Sequence, residues 1–243
     1  MHFDDKFLVI IPARAGSKGI FEKNIQLIGN KPMIQFTIEA ALANFNAENL
    51  IITSNDQKVL DIAKKFGLNI PFKRPDDLST DISGTVDVIK HVLQWYQSEN
   101  KSLPKNIILL QPTSPFRDAN DIRLAVEKFN QSKKKTLISS TDVMQHPGDC
   151  ISKSQNGIYK RLEISRGDLN RQSYPEVLFI DGGIYISEVS HFIKTQDLIG
   201  DDPEIYKTEQ YNAIDIDTPF DLEIARAIYN HKLSVCLYLE KQY

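Results

Sequence analysis

Phe7-Leu-Val-Ile-Ile-Pro-Ala-Arg-Ala-Gly-Ser-Lys-Gly19 decides the class of fold. The run Phe7–Ile11 is apolar without alternation, the pattern of a strand buried on both faces, and Pro12 stops it. A loop of small residues, glycines and cations follows. Gly16 and Gly19 let backbone N–H groups approach an anion closely. Arg14 and Lys18 add fixed positive charge, and Lys23 adds more a few residues on. An arginine can grip two phosphate oxygens at once, while a lysine acts as a point charge. A loop leaving the first strand of an open α/β sheet lies at the carboxyl edge, where ligands bind. Taken alone, the same loop also reads as a solvated basic turn. No GxGxxG follows the strand and no GxxxxGK[ST] occurs, which argues against a dinucleotide dehydrogenase and a P-loop NTPase.

Outward from that strand the chain alternates. Pro32 suits the first turn of a helix carrying Ile34, Ile38, Ala41 and Leu42. Leu50–Thr53 reads as a strand, and Val59, Leu60, Ile62, Ala63 and Phe66 form a helix face. Ile70–Phe72 is a short strand candidate, followed by a helix through Val86, Ile89, Val92, Leu93 and Tyr96. Ile107–Leu110, a helix through Ile122–Phe129, and Leu137–Ser140 continue the pattern. Strands alternating with helices predict an α/β fold with a mostly parallel sheet flanked by helices. The rhythm breaks over 142–198, which carries Pro147, Pro175 and Gly182-Gly183, with strand-like runs at Val177–Ile180 and Tyr185–Ser187. That stretch is predicted to be a β-rich excursion inserted into a single domain spanning 1–243. The pattern resumes at Ala213-Ile-Asp-Ile-Asp217, expected as a strand. Thr218 can cap the last helix, with Pro219 at its first position and Asp221 in its first turn.

The 243 residues are 41% hydrophobic and 25% charged, with a formal net charge of −3. Such a chain has no general attraction for nucleic acid or an anionic membrane, so any anion site must be locally basic. Cys150 and Cys236 form no CxxC or zinc-spaced cluster and read as ordinary thiols. The apolar run at the N-terminus is too short for a signal peptide or a bilayer span, so a cytoplasmic location is expected.

Pro12–Gly19 with Lys23-Asn24 resembles the signature loop of the CMP-sialic acid synthetase family. Further similarities follow in that family's order. They are Arg74-Pro75 with Leu78-Ser-Thr-Asp81, Leu110-Gln-Pro-Thr-Ser-Pro115 with Arg117, Asn170-Arg-Gln172, and Asp215-Ile-Asp-Thr218. Together they run through nearly the whole chain. The resemblance implies a nucleotidyltransferase (Rossmann-like) fold. It also implies a homodimer whose excursion reaches over the partner's active site. Its reaction joins CTP, with Mg²⁺, to an acidic nine-carbon keto-sugar. Ser17-Lys18-Gly19 is unlike the usual continuation in CMP-Kdo synthetases and favours the nine-carbon branch. Where many sialic acid enzymes carry Arg-Pro-Asn-Gly, this chain has Phe179-Ile-Asp-Gly182, so Asp181 replaces an amide. N-acetylneuraminic, legionaminic and pseudaminic acid all stay open.

The resemblance also implies roles. Arg14, Gly16, Ser17, Lys18 and Lys23 would hold the triphosphate, with Lys23 nearest the reacting phosphate. Asn24, Arg74 and Ser83 would contact base or ribose; read without the resemblance, Arg74 is a surface arginine before a proline. Gln111, at a strand end, would contact the sugar acid. Arg171 would contact sugar or phosphate, and with Lys23 and Arg14 completes the expected catalytic set. Arg117 is expected to brace the 112–118 loop, and His146 to shape a turn rather than serve as a base. Asp215 and Asp217 would hold Mg²⁺: two residues apart on a strand, their carboxylates share a face while Ile214 and Ile216 point inward. Two other readings compete: a cytidylyltransferase for the eight-carbon acid Kdo, and a non-catalytic nucleotide- or sugar-binding protein of the same fold.

Overall fold

A strand that is apolar on both faces needs a cover on each side, and the architecture supplies one. The computed structural model describes residues 3, 6–80, 83–100, 102–162 and 175–240, with side chains described as far as 231. In chain order the strands and α-helices are β1 (Phe7–Pro12), β2 (Leu27–Ile28), β3 (Lys31–Pro32), α1 (Met33–Leu42), β4 (Leu50–Thr53), α2 (Gln57–Lys65), α3 (Thr85–Asn100), β5 (Asn106–Leu109) and α4 (Ala119–Gln131). They continue with β6 (Thr136–Asp142), β7 (Ile151–Lys153), β8 (Tyr159–Arg161), β9 (Leu178–Glu188), α5 (Val189–Thr195), β10 (Glu204–Lys207) and α6 (Pro219–Glu240).

The main sheet has six strands in the order β10-β6-β9-β5-β1-β4. Strand β1 sits inside it, and its period of two divides the core. Phe7, Val9 and Ile11 pack with Ile34 and Ile38 of α1, Val59 of α2, and Ile122 and Val126 of α4. Leu8 and Ile10 pack with Ile89 and Val92 of α3 and Phe192 of α5. Val9, Ile10 and Ile11 are fully buried, each contributing about 1.5–3 kcal/mol relative to exposure. A third cluster, Ile28, Met33, Phe116, Ile216, Leu222 and Ala225, seats α6 against the β2–β3 hairpin.

The sheet is mostly parallel, as expected: β1 pairs in parallel with β4 and β5, and β10 with β6, and only β9 runs antiparallel, to both β5 and β6. Four other expectations change in detail. The stretch 142–198 divides. Strands β7 and β8 form a separate two-stranded hairpin, but β9 returns to the middle of the main sheet and α5 packs behind it. Ile184 and Ile186 are fully buried there, so burial overrides the turn signals of Gly182-Gly183. Ile70–Phe72 is not a strand; Ile70 and Phe72 pack on the core from a connecting segment. Residues 213–217 are not a strand either, and the edge position falls to β10. Pro32 lies one residue outside α1, as its N-cap. No helix among the described residues is long and apolar enough to cross a membrane.

Candidate active site

The loop after β1 is held from three directions. The Ala15 N–H donates to Asn55 Oδ1 at 2.8 Å, beyond the end of β4. Asn24, itself buried, donates from Nδ2 to the Arg14 carbonyl at 3.0 Å, and Arg14 Nη1 donates to the Gly16 carbonyl at 2.8 Å. At Gly19 the loop touches the other half of the site: a Cβ there would lie 2.4 Å from the Asp217 carbonyl oxygen. Only a residue without a side chain permits that approach.

Across from the loop, residues 213–217 bring the acidic pair. The Ile216 N–H donates to the Thr113 carbonyl at 2.9 Å, and its side chain is fully buried. The Asp217 and Thr218 N–H groups donate to Asp221 Oδ2 at 3.1 and 2.7 Å, so the first turn of α6 anchors the far end. Lys23 Nζ bridges the halves, donating to the Ile216 carbonyl at 3.0 Å and to Asp217 Oδ1 at 2.9 Å. The lysine side chain is 13% exposed and the aspartate 72%, so the ammonium is sheltered while the carboxylate faces outward. Asp215 is held above the usual carboxylate range, first by burial and also by Asp217, while a hydrogen bond from Thr113 and the charge of Lys23 oppose this. Asp215 Oδ1 is buried with no hydrogen-bond partner.

These groups surround two adjoining cavities. The first, of about 400 Å³, is lined by Arg14, Ser17, Lys18, Lys23, Asn24, Gln111 and Asp217, with Pro12, Gly19, Pro112 and Thr113. The second, of about 510 Å³, shares Asp217 and adds Asp215, Asp221 and an apolar wall of Val143, Met144, Phe179, Ile214 and Ile224. Asp217 is thus the common wall between a basic cavity and a largely apolar one.

The structure therefore brings seven of the expected residues to one cavity and Asp215 to its border. Gly16 lies on the same loop, exposed, without lining the cavity. Gln111 faces β9 at its sharpest point: Gly182 has φ +72°, and a Cβ there would meet Gln111 Oε1 at 2.9 Å. Arg74 is buried rather than on the surface, bonding Thr53 Oγ1 from Nε at 3.1 Å and the Thr53 carbonyl from Nη2. Burial, and secondarily the charge of Arg14, hold its pKa down to about 10. Ser83 lines neither cavity; its hydroxyl donates to the Asp77 carbonyl at 2.8 Å and accepts from the Thr80 N–H at 3.0 Å. Arg171, with Asn170 and Gln172, lies outside the described residues.

Arg117 is fully buried and donates to the Gly183 carbonyl at 3.2 Å and to Thr37 Oγ1 at 2.9 Å, bracing the 112–118 loop between β9 and α1. Both ring nitrogens of His146 serve its turn, at 3.0 Å from the Gly148 N–H and 3.0 Å from the Pro175 carbonyl. Asp181 is buried, accepting from Ser139 Oγ and, at 2.9 Å, from the Gly183 N–H; it lines neither cavity. Sequence reasoning missed Asn55 and Thr113. They follow the ends of β4 and β5, two strands parallel to β1, at the carboxyl edge, and that position was the available signal. It read Asp221 only as a favourable helix charge.

A family profile described as cytidylyltransferase matches residues 8–242. The chain belongs to that family. It is 32% identical over 230 residues to an N-acylneuraminate cytidylyltransferase of Escherichia coli O18:K1:H7, covering 93% of this chain and 53% of that protein. The chain thus spans about half the length of that relative. It is 31% identical to a CMP-N,N'-diacetyllegionaminic acid synthase of Legionella pneumophila, over 89% of this chain and 93% of the relative. A pseudaminic acid cytidylyltransferase of Campylobacter jejuni is 27% identical over 93% of this chain and 98% of its own length. Among solved structures, a CMP:2-keto-3-deoxy-manno-octonic acid synthetase complexed with CTP aligns with a TM-score of 0.65 at 18% identity, covering 93% of this chain and 99% of the other. At that identity the likeness establishes the shared fold of the cytidylyltransferases.

Proposed function

We propose that this cytidylyltransferase transfers CMP from CTP to the anomeric hydroxyl of a nine-carbon acidic keto-sugar of the N-acetylneuraminic, legionaminic or pseudaminic type. The observation that carries this reading is the basic cavity after β1 meeting the acidic pair Asp215–Asp217 at a common wall. The sugar oxygen forms a bond to the α-phosphorus, the bond from that phosphorus to the bridging oxygen breaks, and pyrophosphate departs with that oxygen. The hydroxyl proton passes to solvent. Nucleotidyl transfer of this kind depends on positioning and on neutralising charge as it develops.

Arg14, Lys18 and Lys23 hold the triphosphate, with Ser17 and the loop N–H groups around Gly16 adding donors. Asn24 keeps the loop in shape by bonding the Arg14 carbonyl. Arg74, buried at the end of β4, contributes positive potential beneath Arg14. Gln111 orients the sugar acid from the far side of the cavity, and Arg171 reaches the sugar or phosphate. The donor set suits Mg²⁺: Asp215 offers a buried oxygen without a partner, Asp217 an exposed carboxylate, and phosphate oxygens and water complete the shell this ion prefers. Among the described residues no group of three or more His, Cys, Asp or Glu could enclose a metal alone, which fits an ion held jointly with substrate. When bound, the ion would neutralise charge on the reacting and departing phosphates. A homodimer completes the reading. The β7–β8 hairpin exposes Ile151, Ile158 and Tyr159, an apolar surface suited to a second copy.

The test is pyrophosphate release from CTP with N-acetylneuraminic, legionaminic, pseudaminic acid and Kdo, with and without Mg²⁺. Metal-dependent turnover with a nine-carbon acid is expected. Turnover with Kdo alone, or none with any acid from folded protein, refutes the proposal.

A further inference from the structure

Residues 213–217 carry the acidic pair yet belong to no strand, so no ladder of backbone hydrogen bonds sets their position. Strand β10 ends at Lys207, and Thr208 makes the last sheet-like bond, its N–H donating to the Ser140 carbonyl at 2.8 Å. At the other end, Ile216 is tied to Thr113. Between those points the chain makes a turn in which the Asn212 and Ala213 N–H groups donate to the Glu209 carbonyl at 2.8 and 3.1 Å. A carboxylate on α4 ties this turn to the body of the protein. Asn212 Nδ2 donates to Asp121 Oδ2 at 3.0 Å.

Asp121 is well placed for this. It is 5% exposed and fixed in the first turn of α4 by a reciprocal cap: its N–H donates to Asp118 Oδ1 at 2.9 Å, and its Oδ2 accepts from the Asp118 N–H at 3.0 Å. Its other oxygen accepts from the Tyr206 hydroxyl of β10 at 2.8 Å. One buried carboxylate thus receives donors from its own helix, from the edge strand, and from the turn that leads into Asp215. A carboxylate with several donors holds each of them more tightly than a neutral acceptor could.

We propose that Asp121, acting through Asn212, is a positioning residue for the acidic pair: it fixes where the 209–213 turn releases the chain, and so where Asp215 and Asp217 stand relative to the basic cavity. The proposal rests on the Mg²⁺ role given to that pair above. Neither Asp121 nor Asn212 lines either cavity, so both act at a distance.

Two variants separate positioning from plain stability. Asn212→Ala removes the tie to the turn, whereas Tyr206→Phe removes a bond of similar length to the same carboxylate but from the edge strand. Melting temperature, Mn²⁺ binding in the presence of CTP by electron paramagnetic resonance, and the metal concentration for half-maximal pyrophosphate release are measured for both. Asn212→Ala is expected to weaken Mn²⁺ binding and raise the metal requirement about tenfold, the lower end of the loss seen when a partner orienting a metal ligand is removed. Tyr206→Phe is expected to lower the melting temperature and leave both metal readouts within about twofold of the parent. Unchanged metal binding in Asn212→Ala, or equal shifts in both variants, overturns the positioning role. Absence of metal-dependent turnover in the parent protein refutes the function itself, a different result.

Discussion

Lys23 carries the heaviest load of any single side chain in the site. It reaches a carbonyl and a carboxylate nearly two hundred positions away in sequence, and it stands between the basic cavity and the acidic pair. Lys23→Ala should lower kcat by about 10²–10³, the cost of deleting one preorganised group that stabilises charge in the transition state. The fold should survive, since the side chain is outside the apolar clusters; steady-state kinetics and a thermal melt check both. Asp215 shows the opposite tension between function and stability. Burial favours its protonated form in the folded chain. The folded protein therefore binds this proton more tightly than the unfolded chain. The stability it confers is full in acid and is lost as pH rises from the ordinary carboxylate range through the raised value. Asp215→Asn removes that loss. The variant should melt higher than the parent at neutral pH. The gain should vanish in acid, and metal-dependent turnover should vanish at every pH. A variant that melts lower at neutral pH would contradict the burial argument.

Among the elements, the loop after β1 and the segment after β10 behave as one unit because they touch at Gly19. A methyl group there meets the backbone of residue 217, which cannot swing aside as a flexible side chain could. Gly19→Ala should separate the basic and acidic halves and cost about 10²-fold in kcat/KM, as expected for a misplacement of about 1 Å. Far-UV circular dichroism should be unchanged, because the main sheet is not involved. The elements themselves differ in how plainly they could be read. Strands β1, β4, β5 and β6 and helices α2, α3 and α4 were legible because continuous apolar runs and 3.6-residue spacing report burial directly. Strand β9 was obscured because Gly182-Gly183 reads as a turn, and only antiparallel pairing on both sides makes it an inner strand. Residues 213–217 read as a strand because apolar and acidic residues alternate, but burial follows that alternation only at Ile216 and Asp217, while Ile214 and Asp215 are both half-buried and line the same cavity. An extended segment tied at its ends produces the same pattern without a neighbouring strand.

The exposed hairpin β7–β8 is the feature of the intact protein that the main sheet does not explain. Its strands are exposed throughout and its apolar side chains find no cover within the described residues. Charged substitutions at Ile158 and Tyr159 should convert the proposed dimer to a monomer in sedimentation experiments while leaving the melting profile of the main sheet intact. A parent protein that sediments as a monomer would remove the dimer from the proposal. The local sequence by itself determined the α/β class, the phosphate-suited loop, the cap of α6 and the residue types of the acidic pair, because apolar periodicity, glycine, cations and capping residues act over a few neighbours in the chain. Only the tertiary structure decided which of those residues share a cavity. It buried Arg74, spent the Ser83 hydroxyl on Asp77 and Thr80, turned Asp181 into the interior and brought Asn55, Thr113 and Asp121 to bear on the site. Those outcomes depend on packing between segments far apart in sequence, and spacing along the chain carries no record of distances across it.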